Sequence, residues 1–184
     1  REIEAMDRAG DFLASIHIGL RDLLKPGVDM WEVEEYVRRR CKEENVLPLQ
    51  IGVEGSIMDY PYATCCGLND EVAHAFPRHY ILKDGDLLKV DMVLSEPIDK
   101  SVLDVSKLDF DNVAQVKKYT ESYAGGLADS CWAYAIGTPS DEVKNLMEVT
   151  REAMYLGIEQ AVVGNRIGDI GAAIQEYAES RGYG

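Results

Sequence analysis

Apolar residues recur every three or four positions at the start of the chain, which is the spacing of an amphipathic helix. Residues 2–24 keep this spacing until Pro26-Gly27 interrupts it, so they are predicted to form one long helix. Asp29 follows as a predicted helix cap, and a second helix is predicted from there to about Asn45. Its apolar side is formed by Met30, Val33, Val37 and Cys41, and its solvated side by the charges of Arg38-Arg39-Arg40 and Glu43-Glu44.

From Pro48 to about Ile136 the pattern changes to short runs separated by glycines, which predicts strands and turns. The clearest strand covers residues 87–94 and a second covers residues 127–136. Alternation places Leu87, Lys89, Asp91 and Val93 on one face of the first, and Leu127, Asp129, Cys131 and Ala133 on one face of the second. Residues 95–123 between them are acidic and weakly patterned, and are interpreted as an insert at the tip of a hairpin.

Two further helices are predicted after the strands. Thr138-Pro139-Ser140-Asp141 indicates the start of a long helix, with a proline in its first turn and an acid three residues after its cap. Gly164 is expected to end it, and Asp169 to cap a shorter helix that ends at Gly182. A long helix and an Asp-capped short helix therefore occur twice, and this order favours a duplicated architecture of helices and antiparallel strands, in the α+β class.

Composition limits the function classes. The chain has 184 residues of which 46% are apolar, enough for one domain spanning residues 1–184. Its net charge of -14 would repel nucleic acid and anionic membranes, so neither is expected as a partner. The four cysteines lack CxxC spacing and fit reduced thiols, and no signal peptide or membrane span is recognised, so a cytoplasmic location is predicted.

Two aspartates in the predicted strands are candidates for metal binding. A buried, unpaired carboxylate is costly, so Asp91 and Asp129 each require solvent or a cation. If the two strands pair as a hairpin, both carboxylates can meet on one face and share a divalent ion. Two acids alone are a weak metal motif, and from the residues alone a solvated face or a position near a strand end is the favoured explanation.

Other catalytic arrangements receive less support. His74 lies in a polar loop, residues 69–77, where reactive side chains are often held, although a lone loop histidine is usually a surface residue. A pairing of Cys65 or Cys66 with His74 lacks any local signal for an activated thiolate. The sequence also lacks a G-x-S-x-G elbow, and the glycines of residues 164–168 follow a helix rather than a strand, unlike a dinucleotide-binding loop.

Four segments in this order resemble the methionine aminopeptidases, specifically the bacterial type 1 family. They are residues 69–77 with their histidine, Lys83–Asp91 ending on its aspartate, Ala128-Asp129-Ser130, and residues 170–175. The resemblance covers nearly the whole chain. It implies a pita-bread fold, with two pseudo-symmetric halves around a curved antiparallel sheet, and an enzyme that removes the N-terminal methionine of nascent polypeptides.

The resemblance also implies the site. Asp91 and Asp129 match the two aspartate ligands of a pair of divalent ions, for which cobalt, manganese, iron and zinc are candidates. His74 matches a catalytic histidine that contacts the substrate, and Tyr60 and Cys65 match positions that line the methionine pocket. The remaining ligands, one histidine and two glutamates, would lie beyond Gly184, so this chain is expected to hold an incomplete second half and metal site and to be inactive by itself. A monomer that acts near the ribosome is expected.

Two other interpretations remain open. The chain could be a pita-bread module that has lost catalysis and serves to bind partners. It could also be a related metallopeptidase of the same fold, such as one that cleaves before proline. Retention of Asp91, Asp129 and His74 argues against the first, and the form of residues 69–77 argues against the second.

Overall fold

The computed structural model describes residues 1–184, which divide into two compact units, residues 1–138 and residues 139–184. The first unit contains α1 (Glu2–Leu23), α2 (Trp31–Glu43), β1 (Cys65–Leu68), β2 (Leu87–Ser95), a short 3₁₀ helix (Val105–Lys107), α3 (Val113–Thr120) and β3 (Leu127–Ala135). The second contains α4 (Asp141–Glu159) and α5 (Ile167–Ser180). None of the helices is both long and apolar enough to cross a membrane.

The first two helices form as the apolar spacing predicts. The buried face of α1 includes Ile16 and Leu20, and the chain leaves the helix just before Pro26-Gly27, where Gly27 has a φ of 95°. The predicted apolar side of α2, formed by Met30, Val33, Val37 and Cys41, is completely buried. Both stripes join a single core with the inner face of the sheet, so sequence spacing alone fixes which side of each helix is covered.

The three strands form one antiparallel sheet in the order β1-β2-β3. Helix α1 packs against β2 and β3. The β2 residues that face the core, Leu88, Val90, Met92 and Leu94, are all inaccessible to solvent. Along β3 exposure alternates residue by residue, and Asp129 and Cys131 are exposed. The sheet therefore has one face covered by helices and one face that carries the predicted aspartates, as the alternation predicts.

His17 is buried at the contact between α1 and β3. Its Nδ1 lies 2.7 Å from the hydroxyl of Tyr134 and its Nε2 lies 3.0 Å from Oγ of Ser130. Its ring stacks on Trp132 with 4.7 Å between centroids. Burial lowers the pKa of His17 from its ordinary 6.5 to about 4, so the ring is neutral at physiological pH. His17 therefore belongs to the core, on the side of the sheet opposite to the aspartates.

The segment between β2 and β3 is more regular than its weak pattern indicates. It contains the 3₁₀ helix and α3, and it contributes Val105, Leu108, Phe110 and Val116 to the core. The side chain of Asn45, just after α2, donates to the carbonyls of Ile98 (2.6 Å) and Leu103 (2.8 Å) and accepts from the amide of Val105 (2.8 Å). Residues 95–123 connect the paired strands β2 and β3, and one buried amide and four apolar side chains order them.

In the second unit α4 packs against α5, and two boundaries differ from the prediction. Ser140 is the N-cap of α4, with its hydroxyl accepting from the amide of Val143 at 3.2 Å, so Pro139 precedes the cap instead of lying in the first turn. The helix ends at Glu159, before Gly164. A Cβ at position 157 would lie 2.7 Å from Cδ1 of Ile174. Because Gly157 has no side chain, α4 and α5 can pack closely there.

The two aspartates predicted as equivalent caps have different roles. Asp29 lies outside α2, where its Oδ1 accepts from the amides of Trp31 (3.1 Å) and Tyr80 (3.0 Å). Asp169 lies inside the first turn of α5, where its carboxylate accepts from the amide of Arg166 at 2.6 Å. Both carboxylates accept hydrogen bonds from free amides at helix starts. The prediction that the two aspartates occupy the same cap position is wrong, and the similarity between the two halves is confined to the order of the helices.

Candidate metal centre

Asp91 and Asp129 lie on the open face of the sheet as diagonal neighbours. In the β2–β3 register Asp91 is opposite Cys131 and Asp129 is opposite Val93, and both carboxylates project from the same face. Burial, and next the negative charge of Asp129, raises the pKa of Asp91 above its ordinary value. The proximity of a second carboxylate costs electrostatic free energy that a cation would recover.

His74 lies on the loop that follows β1, near Asp91. Its φ of 57° is left-handed, a conformation that non-glycine residues adopt rarely. The loop is fixed to the strand, since the amide of Cys66 donates to the carbonyl of Ala75 at 2.8 Å. The imidazole lowers the pKa of Asp91, opposing the effects of burial and of Asp129, and so lies within electrostatic range of that carboxylate.

Cys65 lies beside Asp91, and Tyr60 lies next to Cys65. Cys65 is opposite Asp91 in the β1–β2 register, so it flanks that carboxylate on the side away from Cys131. The hydroxyl of Tyr60 donates to the carbonyl of Thr64 at 3.0 Å, and its ring contacts Phe76 edge-on with 5.2 Å between centroids. The structure therefore brings together all five predicted residues, and their roles in catalysis remain predictions.

The thiols near this site are neutral. Burial raises the pKa of Cys65, and it raises the pKa of Cys66 to about 12. Cys131 is exposed, yet desolvation and the charge of Asp91 raise its pKa to about 11. A thiolate nucleophile activated by His74 is therefore disfavoured, because each thiol would stay protonated near neutral pH.

A buried carboxylate that the sequence prediction overlooked supports the site from behind. Glu34 is fully buried and accepts from Arg38 Nε (2.6 Å), the amide of Ala63 (2.8 Å) and Oγ1 of Thr64 (2.6 Å). It thereby positions the residues that lead into β1 and Cys65. Arg38 is only 16% exposed in its side chain, so the prediction that it belongs to a solvated face is wrong.

Glu34 could have been found from spacing. It is four residues after Met30 and three before Val37, so it lies on the apolar stripe of α2 rather than beside it. Gln50 gave no such signal. Its Nε2 lies 3.1 Å from Sγ of Cys65, while its Oε1 is buried without a hydrogen-bond partner. The Gln50 amide is therefore a second buried polar group, and it lies beside Cys65.

The donor set suits a divalent ion in part. Carboxylate oxygens are hard ligands, and Asp91 and Asp129 project from the same face of the sheet, where a cation could contact both. No group of three or more histidine, cysteine, aspartate or glutamate side chains in the structure is arranged to hold a metal ion. The pair Asp91 and Asp129 therefore remains a predicted part of a metal site.

Comparison with known proteins gives consistent matches over this chain. A sequence profile described as metallopeptidase family M24 matches residues 4–95 and 118–184. The chain is 31% identical to methionine aminopeptidase 1 of Bacillus subtilis, over 98% of its own length and 60% of the relative's. It is 30% identical to the methionine aminopeptidase of Aquifex aeolicus, over 100% of its own length and 62% of the relative's. It thus spans about 60% of the length of these curated relatives.

Solved structures agree with the sequence matches. A methionine aminopeptidase from Streptococci superposes with a TM-score of 0.93 at 87% identity, over 100% of this chain and 64% of that one. The methionine aminopeptidase of Thermotoga maritima gives a TM-score of 0.77 at 30% identity, over 98% and 61%. An X-Pro aminopeptidase from the same organism, at 19% identity and a TM-score of 0.66 over 100% and 42%, shares the fold.

Proposed function

The chain belongs to metallopeptidase family M24, and we propose that it acts as a methionine aminopeptidase, which removes the N-terminal methionine of newly made polypeptides. The observation that carries the proposal is the diagonal pair Asp91 and Asp129 on the open face of the sheet, with Cys65 opposite Asp91 and His74 near it. The sequence relatives and structural neighbours named methionine aminopeptidase support this activity over others in the family.

Asp91 and Asp129 would hold the divalent ions. A bound divalent ion supplies a polarising charge for the scissile carbonyl and lowers the pKa of a bound water towards neutrality. We propose cobalt, manganese, iron or zinc, because sites that mix carboxylate with imidazole accept several first-row ions. The half-buried position of Asp91 strengthens its interaction with a cation, because the local dielectric constant is lower there than in water.

The remaining residues would bind the substrate. Tyr60 and Phe76 present aromatic surface, and the protonated thiol of Cys65 is polarisable and uncharged, so together they suit an unbranched thioether side chain. His74, exposed and within reach of Asp91, is in a position to contact the peptide next to the metals. We propose that His74 donates or accepts a hydrogen bond at the scissile amide.

We further propose that the protein works in the cytoplasm, near the ribosome and as a monomer, on nascent polypeptide N-termini. All four cysteines are free in the structure, which is compatible with a reducing compartment. The net charge of -14 disfavours direct binding to nucleic acid.

Metal binding and peptide cleavage test the proposal together. In the protein that carries this sequence, Asp91→Asn should weaken Mn²⁺ binding measured by calorimetry and abolish cleavage of Met-Ala-Ser. The matched control is Asp22→Asn, because Asp22 is exposed on α1, and it should leave both unchanged. Cleavage of Xaa-Pro peptides in preference to Met-Ala-Ser would instead assign a proline peptidase, and unchanged Mn²⁺ affinity in Asp91→Asn would remove Asp91 from the site.

A further inference from the structure

The loop that carries Tyr60 depends on its neighbours for its position. This tyrosine loop, residues 51–62, is closed by two backbone hydrogen bonds of 2.8 Å, from the amide of Gly52 to the carbonyl of Tyr60 and from the amide of Tyr60 to the carbonyl of Val53. Its tip is exposed, with Ile57 at 95% of its maximal accessibility. Two hydrogen bonds offset only a small part of the conformational entropy lost when so long a segment is ordered. Other contacts must therefore fix the loop.

Helix α3 contacts the tyrosine loop directly. Lys117 Nζ lies 2.8 Å from Oδ2 of Asp59, the residue before Tyr60, and Oγ1 of Thr120 donates to the carbonyl of Ile51 at 3.1 Å. A Cβ on Gly52 would lie 2.9 Å from Cα of Lys117, so the helix backbone lies directly against that glycine. Both ends of the loop are therefore attached to one face of α3.

A second attachment reaches the loop from the same segment. Arg38, whose Nε is bound by buried Glu34, donates from Nη1 to Oδ1 of Asp111 at 2.6 Å and from Nη2 to the carbonyl of Pro61 at 3.3 Å. Asp111 thus helps to orient the guanidinium that contacts the residue after Tyr60. Because Tyr60 lies between Asp59 and Pro61, it is held from both sides.

The contacting side chains lie largely outside the part of the chain that the family has in common. The family profile leaves residues 96–117 unmatched, and Asp111 and Lys117 both fall within them. This segment also contributes the buried side chains of Val105, Leu108, Phe110 and Val116 to the core, so its position is fixed by packing. An ordered element that the family profile does not match is thereby attached to a loop that carries a candidate pocket residue.

We propose that residues 96–120 position the wall of the methionine pocket, with Lys117 as a positioning residue that holds Tyr60 against Phe76 and beside Cys65. The consequence for substrate affinity rests on the function proposed above. The structure shows no hydrogen bond or ion pair between Lys117 and either Asp91 or Asp129. Lys117 therefore acts through the loop and affects binding of the methionine side chain rather than the chemical step.

The test removes one charge and follows the loop and the kinetics separately. Lys117→Met keeps the methylene chain against Gly52 and deletes the ammonium. In this variant the amides of residues 52–60 should exchange with deuterium about threefold faster, the size expected for loss of one partly exposed ion pair. KM for Met-Ala-Ser should rise by a similar factor, roughly threefold, with kcat unchanged. Lys117→Arg should restore both values.

The matched control is Lys118→Met, because Lys118 is the exposed neighbour on the same helix, and it should change neither quantity. Unchanged exchange in Lys117→Met would overturn the proposal, and so would faster exchange accompanied by an unaltered KM or by a fall in kcat alone. If the unsubstituted protein failed to cleave methionyl peptides, the proposed function would fail by itself. The exchange data would then still decide whether Lys117 positions the loop.

Discussion

Asn45 is a single side chain on which the order of the segment between β2 and β3 depends, and its removal gives a sharp test. The residue is buried, has a left-handed φ of 57°, and forms three hydrogen bonds through its amide, to Ile98, Leu103 and Val105. Asn45→Ala deletes all three hydrogen bonds and leaves the buried amide of Val105 without its acceptor. We expect this variant to destabilise the first unit markedly.

The magnitude follows from two contributions. Three hydrogen bonds at about 0.5–1.5 kcal/mol each sum to roughly 1.5–4.5 kcal/mol. Alanine must also hold a left-handed backbone, which adds about 1–2 kcal/mol. The expected loss is about 3–6 kcal/mol, a large part of the roughly 5–15 kcal/mol that stabilises an ordinary domain. Asn45→Gly loses the same three hydrogen bonds without the backbone strain, so it should be about 1 kcal/mol less destabilised than Asn45→Ala.

Urea denaturation followed by tryptophan fluorescence measures this loss, because Trp31 and Trp132 both belong to the first unit. Deuterium exchange locates it, and residues 98–107 should be deprotected before α1 in both variants. A loss below about 1 kcal/mol in Asn45→Ala would refute the hydrogen-bond argument. Equal losses in the two variants would refute the backbone-strain argument, and a uniform increase in exchange across α1 would show that Asn45 does not act locally.

Three further predictions concern the core and the metal ligands. The free energy of unfolding should fall as the pH drops from 6.5 towards 4, because burial lowers the pKa of His17 to about 4 and the unfolded chain therefore binds more protons in that window. Denaturation at several pH values should show a shallower dependence of this free energy on pH for His17→Gln than for the unsubstituted protein. Equal dependences would contradict this prediction. Gly126→Ala should lower the melting temperature, since the added Cβ meets the backbone of Ala5; an unchanged melting curve would exclude that clash. Asp91→Ala should abolish turnover but preserve the fold of the metal-free protein by relieving repulsion from Asp129; circular dichroism and a peptide assay check both, and retained turnover would rule out Asp91 as a ligand.

Periodicity was sufficient for much of the first unit. The three- and four-residue spacing of α1 and α2 defines which residues are buried, because a helix in contact with a core must present one stripe to it. Alternation in β2 and β3 likewise determines that Asp91 and Asp129 share a face once the strands pair. The juxtaposition of His74 and Cys65 with them came from the family resemblance, since a loop histidine and a cysteine carry no periodic signal.

Other features depend on contacts between segments that are distant in the sequence. Nothing near Asn45 indicates that its amide bonds to residues more than fifty positions later, so the helices of the segment that it organises were not predicted. The position of Asp169 within α5 was missed because an acid at the third helical position and an acid at the cap both satisfy free amides. Glu34 lies on the apolar stripe of its helix. Arg38 pairs with its charge from one turn away, but the donors from Ala63 and Thr64 are distant in the sequence and were not predicted.

In the hairpin formed by β2 and β3, the geometry of the candidate metal site does not depend on the length of the connection between the strands. Its register is set by nine residue pairs, from Leu87 opposite Ala135 to Ser95 opposite Leu127, all within the strands. Residues added beyond Ser95 therefore leave the diagonal placement of Asp91 and Asp129 unaltered. The entropic cost also grows slowly, by about 0.6 kcal/mol for each doubling of a flexible loop. The tip of this hairpin is thus a point where a lineage can acquire new structure, and later new contacts, without rebuilding the centre beneath it.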